Sequence, residues 1–297
     1  MISVVIETWN LRADPEPLGA LLAALAPELG DAELVVTHRE ISAARRAYLA
    51  ARATRAISWV ELGRDAGYYE HKNAGFAASR GDIVAFVDGD CTPAAGWLAA
   101  LTGPIARGHA RVVAGATSYR GELAALATRL DFPVFTRDAA HRTVRNFFAN
   151  NVAFARDVFA AHSYPQLAPM FHGQCQVLAL ELGAAGIAIH HARDARVTHA
   201  WPASPREWLA LRLLRGADTV ALVPHVAAHH RGTSWLARVP RVPALAVLGA
   251  RAIAGAWWAV RTGPVARGLA LVAGVSVVDS IGAVAGPAVY RVLPSAS

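Results

Sequence analysis

Short runs of β-branched and aliphatic residues alternate with longer stretches rich in alanine and leucine through the first two thirds of the chain. Ile2-Ser3-Val4-Val5-Ile6, Glu33 to Thr37 and Ile57 to Leu62 read as strands by their β-branched content. Leu18 to Leu29 reads as a helix closed by Gly30. Strand, helix, strand, helix at this spacing predicts an α/β fold with a doubly wound, mostly parallel sheet. The most continuous apolar run, Ile83 to Val87, is of the kind buried on both faces of such a sheet. The small residues from Lys72 to Arg80 before it predict a helix stopped by Gly81, and Pro93 after it predicts the first turn of a helix through Trp97 and Leu98. Ala110 to Thr117 gives a further strand, and Ala195 to Thr198 a β-like segment closed by His199.

The pattern changes after residue 200. Glu207 to Gly216 predicts a basic amphipathic helix with Arg212 and Arg215 on one face. Val242 to Val260 and Leu269 to Tyr290 are long apolar stretches, each about the 20 residues that span a bilayer's hydrocarbon core. Each carries one interior charge, Arg251 and Asp279, which would be costly singly and would pair across a helical hairpin or face protein. Three parts follow: 1–200 the α/β domain, 201–239 a basic helical segment, and 240–297 a hydrophobic hairpin that spans the membrane or lies at its interface.

Charge supports that division. The net charge of +7 comes from 29 basic and 22 acidic residues, and Arg231, Arg238 and Arg241 precede the first apolar stretch. By the positive-inside rule the α/β domain then lies on the cytoplasmic face of the membrane. Nucleic acid would accept the same charge, but no RNA- or DNA-binding signature accompanies it, so no nucleic-acid partner is expected. Cys91 and Cys175 form neither a metal-type spacing nor a disulfide framework, which fits a reducing compartment. The chain begins directly with a strand, so no signal peptide is expected. Lys72 is the only lysine.

The candidate chemistry begins where the apolar run ends. Asp88-Gly89-Asp90 places two carboxylates at the carboxyl end of a strand, where open α/β sheets hold ligands. Hard oxygen donors there suit Mg²⁺ or Mn²⁺, whose remaining ligands come from water and substrate phosphate. Gly89 lets backbone approach such a ligand.

Residues 72–93 as a whole resemble the central signature of family 2 glycosyltransferases: an Asn-x-Gly helix start at Asn73 and Gly75, a Gly-Asp turn, and a strand ending in Asp-x-Asp. The opening Ile-Ser-Val-Val-Ile-x-Thr-x-Asn is similar to that family's first strand, and the resemblance extends over residues 2–216. It implies a GT-A fold, Rossmann-like with helices flanking the sheet, ahead of the membrane-associated helical region. It also implies an inverting, metal-dependent transfer of a sugar from a nucleotide-sugar donor, most commonly UDP-linked. The acceptor would be lipid-carried or a polysaccharide.

Carried over position by position, the resemblance assigns Asp88, Asp90 and His199 to the metal. The donor falls to Glu7, Thr8, Asn10, Glu40, Lys72, Asn73, Gly75, Asp88, Asn151, Arg212 and Arg215. Glu40 is the substitute contact, because Thr37-His38-Arg39-Glu40 replaces the family's Asp-Asp-Gly-Ser. A second departure concerns catalysis. Gln174 and Cys175 occupy the positions of the carboxylate general base, and neither is a base at neutral pH. Three readings follow: His172 acts as base, a carboxylate such as Asp131 or Asp138 takes the role, or the acceptor is already anionic. Asp90 and His172 are accordingly the expected catalytic residues. The alternative is a catalytically impaired binding or scaffold subunit, which the loss of the base favours and the retained Asp-x-Asp opposes.

Overall fold

The computed structural model describes residues 1–9, 11, 16–167 and 169–293; Asn10, an expected donor contact, lies outside them. The chain divides into two compact units. The first comprises Met1–Ser118, Val134–Gln166 and Gln174–Ala200, and the second Tyr119–Pro133, Leu167–Gly173 and Trp201–Ser297.

The first unit is built on one mixed sheet. Strands β1 (Ile2–Glu7), β2 (Glu33–His38), β3 (Ile57–Glu61) and β4 (Ile83–Asp88) run parallel in the spatial order β3-β2-β1-β4. Beyond β4 the sheet continues through β9 (Asn151–Ala155), β6 (Val112–Ser118) and β10 (Ile189–His199), with β9 antiparallel to both its neighbours. Two short strands, β8 (Thr143–Val144) and β7 (Thr136–Asp138), finish that edge. Helices α1 (Glu16–Leu25), α2 (Ala43–Ala50), α3 (Tyr68–Ala78), α4 (Trp97–Ala106), α6 (Arg156–Ala161) and α7 (Gln174–Ala184) belong to this unit. Every residue of β4 is buried, as its apolar run requires.

Two features position the candidate site. Helix α3 lies so close to β1 and β2 that a Cβ at Gly75 would strike the Val5 side chain. Gly75 therefore serves helix–sheet packing. The second feature departs from expectation: Pro93 opens no helix. Cys91–Pro93 forms a short strand, β5, antiparallel to the end of β10, and α4 begins only at Trp97 after a left-handed Gly96. Proline's missing N–H is tolerated there because β5 pairs along one edge only.

The second unit is helical among its described residues: α5 (Ala124–Asp131), α8 (Pro205–Ala228), α9 (Arg241–Ala259), α10 (Val265–Ala285), α11 (Pro287–Val292) and a 3₁₀ turn at Ser234–Arg238. α8 is capped by Ser204, whose hydroxyl accepts the Glu207 N–H, with proline in its first turn. α8 and α10 cross at glycines. A Cβ on Gly216 would collide with the Asp279 carbonyl, and one on Gly282 with the Leu213 carbonyl. Small residues at a crossing let two backbones approach this closely, as in membrane helix pairs.

α9 and α10, of 19 and 21 residues, are long and apolar enough to cross a membrane. Their outer surfaces expose Val242, Val247, Ile253, Val277, Ile281 and Val284. Their interior charges turn inward and meet: Arg251 Nη1 donates to Asp279 Oδ2 at 2.9 Å.

Candidate active site

The site grows from the register of the central strands. β1 and β4 pair so that Glu7 stands opposite Asp88 at their carboxyl ends. Both side chains are buried, and so is Lys72, which α3 delivers from one side. Lys72 Nζ donates to Asp88 Oδ1 at 2.6 Å, and the Tyr68 hydroxyl, one turn earlier on α3, lies 2.9 and 3.0 Å from the two Asp88 oxygens. Burial, and then the neighbouring Asp88, pushes the Glu7 carboxyl well above the usual carboxylate range. Its Oε2 accepts the Trp9 N–H at 2.7 Å, and its Oε1 has no hydrogen-bond partner among the described residues.

Asp90 is held differently. Pairing of β5 with β10 sets His199 opposite Cys91, and the Ala200 N–H donates to the Asp90 carbonyl at 3.0 Å. His199 Nε2 then lies 3.7 Å from Asp90 Oδ2. His199 Nδ1 is 2.7 Å from the Ala200 carbonyl, a contact in which the ring nitrogen donates. Asp90 Oδ1 is buried with no partner among the described residues. The Cys91 sulfur lies within the same small cluster, but burial pushes its thiol well above the usual range, so it stays protonated. A carboxylate and an imidazole this close, with the buried Asp90 Oδ1 lacking a partner among the described residues, fit Mn²⁺ or Mg²⁺.

The two carboxylates of the Asp-x-Asp triplet therefore separate. Asp88, expected as a metal ligand, is bonded to Lys72 and Tyr68, while Asp90 lies in a cluster with His199. Lys72, expected at the donor, has no exposed surface and faces Asp88. The remaining expected donor residues also meet protein. The Thr8 hydroxyl donates to the Thr37 carbonyl at 3.0 Å. Asn73 exchanges two hydrogen bonds with the Tyr164 backbone, at 2.9 and 3.3 Å. The Asn151 amide accepts from Trp97 Nε1 and donates to the Ala116 and Ala195 carbonyls, tying three strands to α4. Glu40, exposed and at positive φ, pairs with Arg64.

Arg212 and Arg215, expected at the donor, both meet protein carboxylates. Both belong to the second unit, where Arg212 grips Asp279 through Nε and Nη2 and reaches Asp131 through Nη1, and Arg215 Nη1 lies 2.7 Å from Asp131 Oδ1. Burial opposes ionisation of Asp131, but Arg215, Arg212 and Arg251 outweigh it and hold that carboxyl well below the usual range. Such an acid is a poor base. Asp138 sits exposed beside His141. His172 lies in the second unit with its ring against Asp218, while Gln174 and Cys175 begin α7, both buried.

Tyr68 and Asp218 escape sequence reasoning. Tyr68 has a signal, standing four residues before Lys72 on a helix and hence on the same face; Asp218 has none.

Residues 42–163 match the family described as glycosyl transferase family 2. No curated protein matches the sequence. Among solved structures, the fold is similar to a mannosyltransferase from Pyrobaculum calidifontis in complex with GDP-Man and Mn²⁺. That match has 17% identity and a TM-score of 0.62, and covers 95% of this chain and 86% of that one. Glucosyl-3-phosphoglycerate synthase from Mycobacterium tuberculosis, in complex with Mn²⁺, UDP and phosphoglyceric acid, matches at 20% identity and a TM-score of 0.53, covering 76% of this chain and 78% of that one. TarS of S. aureus matches at 15% identity and a TM-score of 0.51, covering 78% of this chain and 44% of that one.

Proposed function

We propose that this chain, which carries a glycosyl transferase family 2 segment and has a fold similar to a mannosyltransferase, is a glycosyltransferase that transfers a sugar from a nucleoside-diphosphate sugar to a lipid-carried or polysaccharide acceptor at the cytoplasmic membrane face. The observation that carries the reading is the cluster of Asp90 and His199 at the carboxyl end of the sheet, with the Asp90 Oδ1 buried and lacking a partner among the described residues. Asp90 and His199 would hold Mn²⁺ or Mg²⁺ there. Bound, the ion supplies positive charge to the donor diphosphate as it leaves. The mannosyltransferase and synthase structures carry Mn²⁺ with their nucleotides, which supports the same use here.

The protein's own contribution is positional. Lys72 and Tyr68 fix Asp88, Asp88 and Glu7 shape the end of β1 and β4, and Asn151 clamps the sheet behind them. The membrane assignment is supported by the apolar outer faces of α9 and α10, whose charges are paired inside the helical unit.

Purified protein in detergent, offered UDP- and GDP-sugars with and without Mn²⁺, tests the reading. Metal-dependent binding and slow hydrolysis of one donor are expected, with loss of at least a hundredfold in Asp90→Ala and His199→Ala. A folded protein that binds no donor with metal present would sink it.

A further inference from the structure

Within the helical unit, the end where α9 turns into α10 is built on two stacked cation–aromatic pairs. Trp257 and Trp258 stand in the last turn of α9, their rings edge-on with centroids 4.7 Å apart. Arg261 lays its guanidinium over the Trp257 ring, Cζ 3.8 Å from the centroid, and Arg129, from the last turn of α5, lays its own over Trp258 at 3.5 Å. The turn is tied down by its backbone: the Arg261 N–H and the Thr262 hydroxyl both donate to the Trp258 carbonyl at 2.9 Å. Both arginines are exposed, and neither has a hydrogen-bond or ion-pair partner among the described residues. Glu122, the acid that meets α10 at this end, is taken by Arg267 at 2.6 Å, so it does not neutralise them.

A guanidinium stacked on an indole uses its flat face on the ring and keeps the N–H donors at its edge. Those edge donors match phosphate oxygens in a forked pair. The helix face leading to them is graded. Ile253, Trp257 and Arg261 follow at four-residue spacing, hence along one face, as an exposed aliphatic, an exposed aromatic and a cation. A bilayer presents its layers in that order: hydrocarbon, the interfacial belt where tryptophan settles, and the headgroup phosphate. We infer that the α9–α10 turn is a binding site for an anionic phospholipid, its phosphodiester held by the Arg129 and Arg261 guanidiniums on their tryptophan platforms. The inference rests on the membrane reading above and adds the class of lipid.

Two further features of the turn agree with that role. α10 begins there with Pro264 at its N-cap and no side-chain cap, so the partial positive charge of its first N–H groups reinforces the two cations. Val260 and Val265 expose apolar surface on either side of the turn. A free phosphate ester would use the arginines and leave Ile253, Trp257 and these valines in water, whereas a phospholipid brings hydrocarbon to cover them. The stacks also hold the two guanidiniums before the lipid arrives, which reduces the side-chain freedom lost on binding.

Flotation of the full-length protein with vesicles of phosphatidylcholine alone, and of phosphatidylcholine with phosphatidylglycerol, reads the site as a ratio of affinities. The unsubstituted protein should favour the anionic vesicles. Each basic residue near an anionic surface contributes about fivefold, so Arg129→Gln with Arg261→Gln should cut the ratio by about twenty-five-fold and leave binding to neutral vesicles in place. Trp257→Leu keeps every charge, yet should cut the ratio by about threefold, because Arg261 loses the ring that fixes it.

Thermal melts show which variants are folded. Should Arg129→Gln loosen α5, Arg261→Gln alone, on the exposed turn, still carries the test with an expected drop of about fivefold. A ratio unmoved by the arginine substitutions overturns the site. So does a ratio that falls with them but not with Trp257→Leu, since diffuse charge would then suffice. Displacement of anionic vesicles by soluble glycerol phosphate would assign the turn to a free phosphate ester and overturn the proposal as well. Protein that floats equally with both vesicle types keeps the membrane reading and loses this site; protein that floats with neither loses both.

Discussion

Lys72, the chain's only lysine, places its Nζ 2.6 Å from Asp88 Oδ1 with both side chains buried. An ammonium and a carboxylate buried together gain little net stability from their attraction, because both have lost water. Removing one partner alone is another matter. Lys72→Met would leave Asp88 buried beside Glu7 with the Tyr68 hydroxyl as its remaining partner, at a cost of about 3–5 kcal/mol. Adding Asp88→Asn should recover most of that loss, since no uncompensated charge remains. Thermal melts of the two single variants and the double variant check it. A Lys72→Met protein with an unchanged midpoint and a raised donor KM would place the lysine on the substrate instead.

His71 sets a pH dependence of stability. It is buried beside Lys72 on α3, and burial, with Arg39 the next largest influence, lowers its pKa to about 4. Above pH 6.5 the ring is neutral in the folded and unfolded chains alike. As pH falls below that value the unfolded chain binds the proton first, so stability declines until the folded pKa is passed. The full loss is roughly 3 kcal/mol. Melts between pH 7.5 and 4.5 should show the decline in native protein and a flatter profile in His71→Met. Equal slopes in both would remove His71 as the cause.

Arg212 and Asp279 test the charge pairing inside the second unit. Asp279→Asn should destabilise by about 3–5 kcal/mol, because Arg212 and Arg251 lose their shared carboxylate. Arg212→Leu combined with Asp279→Leu should restore much of the loss and leave donor KM untouched. A raised KM at native stability would return Arg212 to the diphosphate.

The outer face of α9 answers to the membrane. Val247 and Ile253 are 59% and 75% exposed, so Val247→Glu with Ile253→Glu should change the melting midpoint little, each within about 0.5 kcal/mol. Flotation with phosphatidylcholine–phosphatidylglycerol vesicles should fall at least tenfold, since a charge at hydrocarbon depth is expensive. Unaltered flotation would move the contact to another surface.

The signature from Lys72 to Asp90 was legible because it is local. Helix, turn, strand and carboxylates follow one another in sequence, and the strand's apolar run declares that both its faces are covered. The early strands, the two long apolar helices and the inward pairing of Arg251 with Asp279 were legible for the same reason: periodicity and the cost of lone charges act over short spans. The chain's departures at Gln174 and Cys175 were equally visible, as a missing function.

Which partner each carboxylate meets depends on pairing across long separations. β5 meets β10 more than a hundred residues later, and only that register brings Asp90 to His199 while α3 closes over Asp88. The same holds for Arg212, whose amphipathic pattern points to phosphate until α10 presents Asp279, and for His172, a lone histidine until α8 presents Asp218. A side chain's type fixes which bonds it can make, and sequence reveals that much. Which bond it makes depends on the partner that tertiary packing puts within 3 Å, and on the water that packing removes.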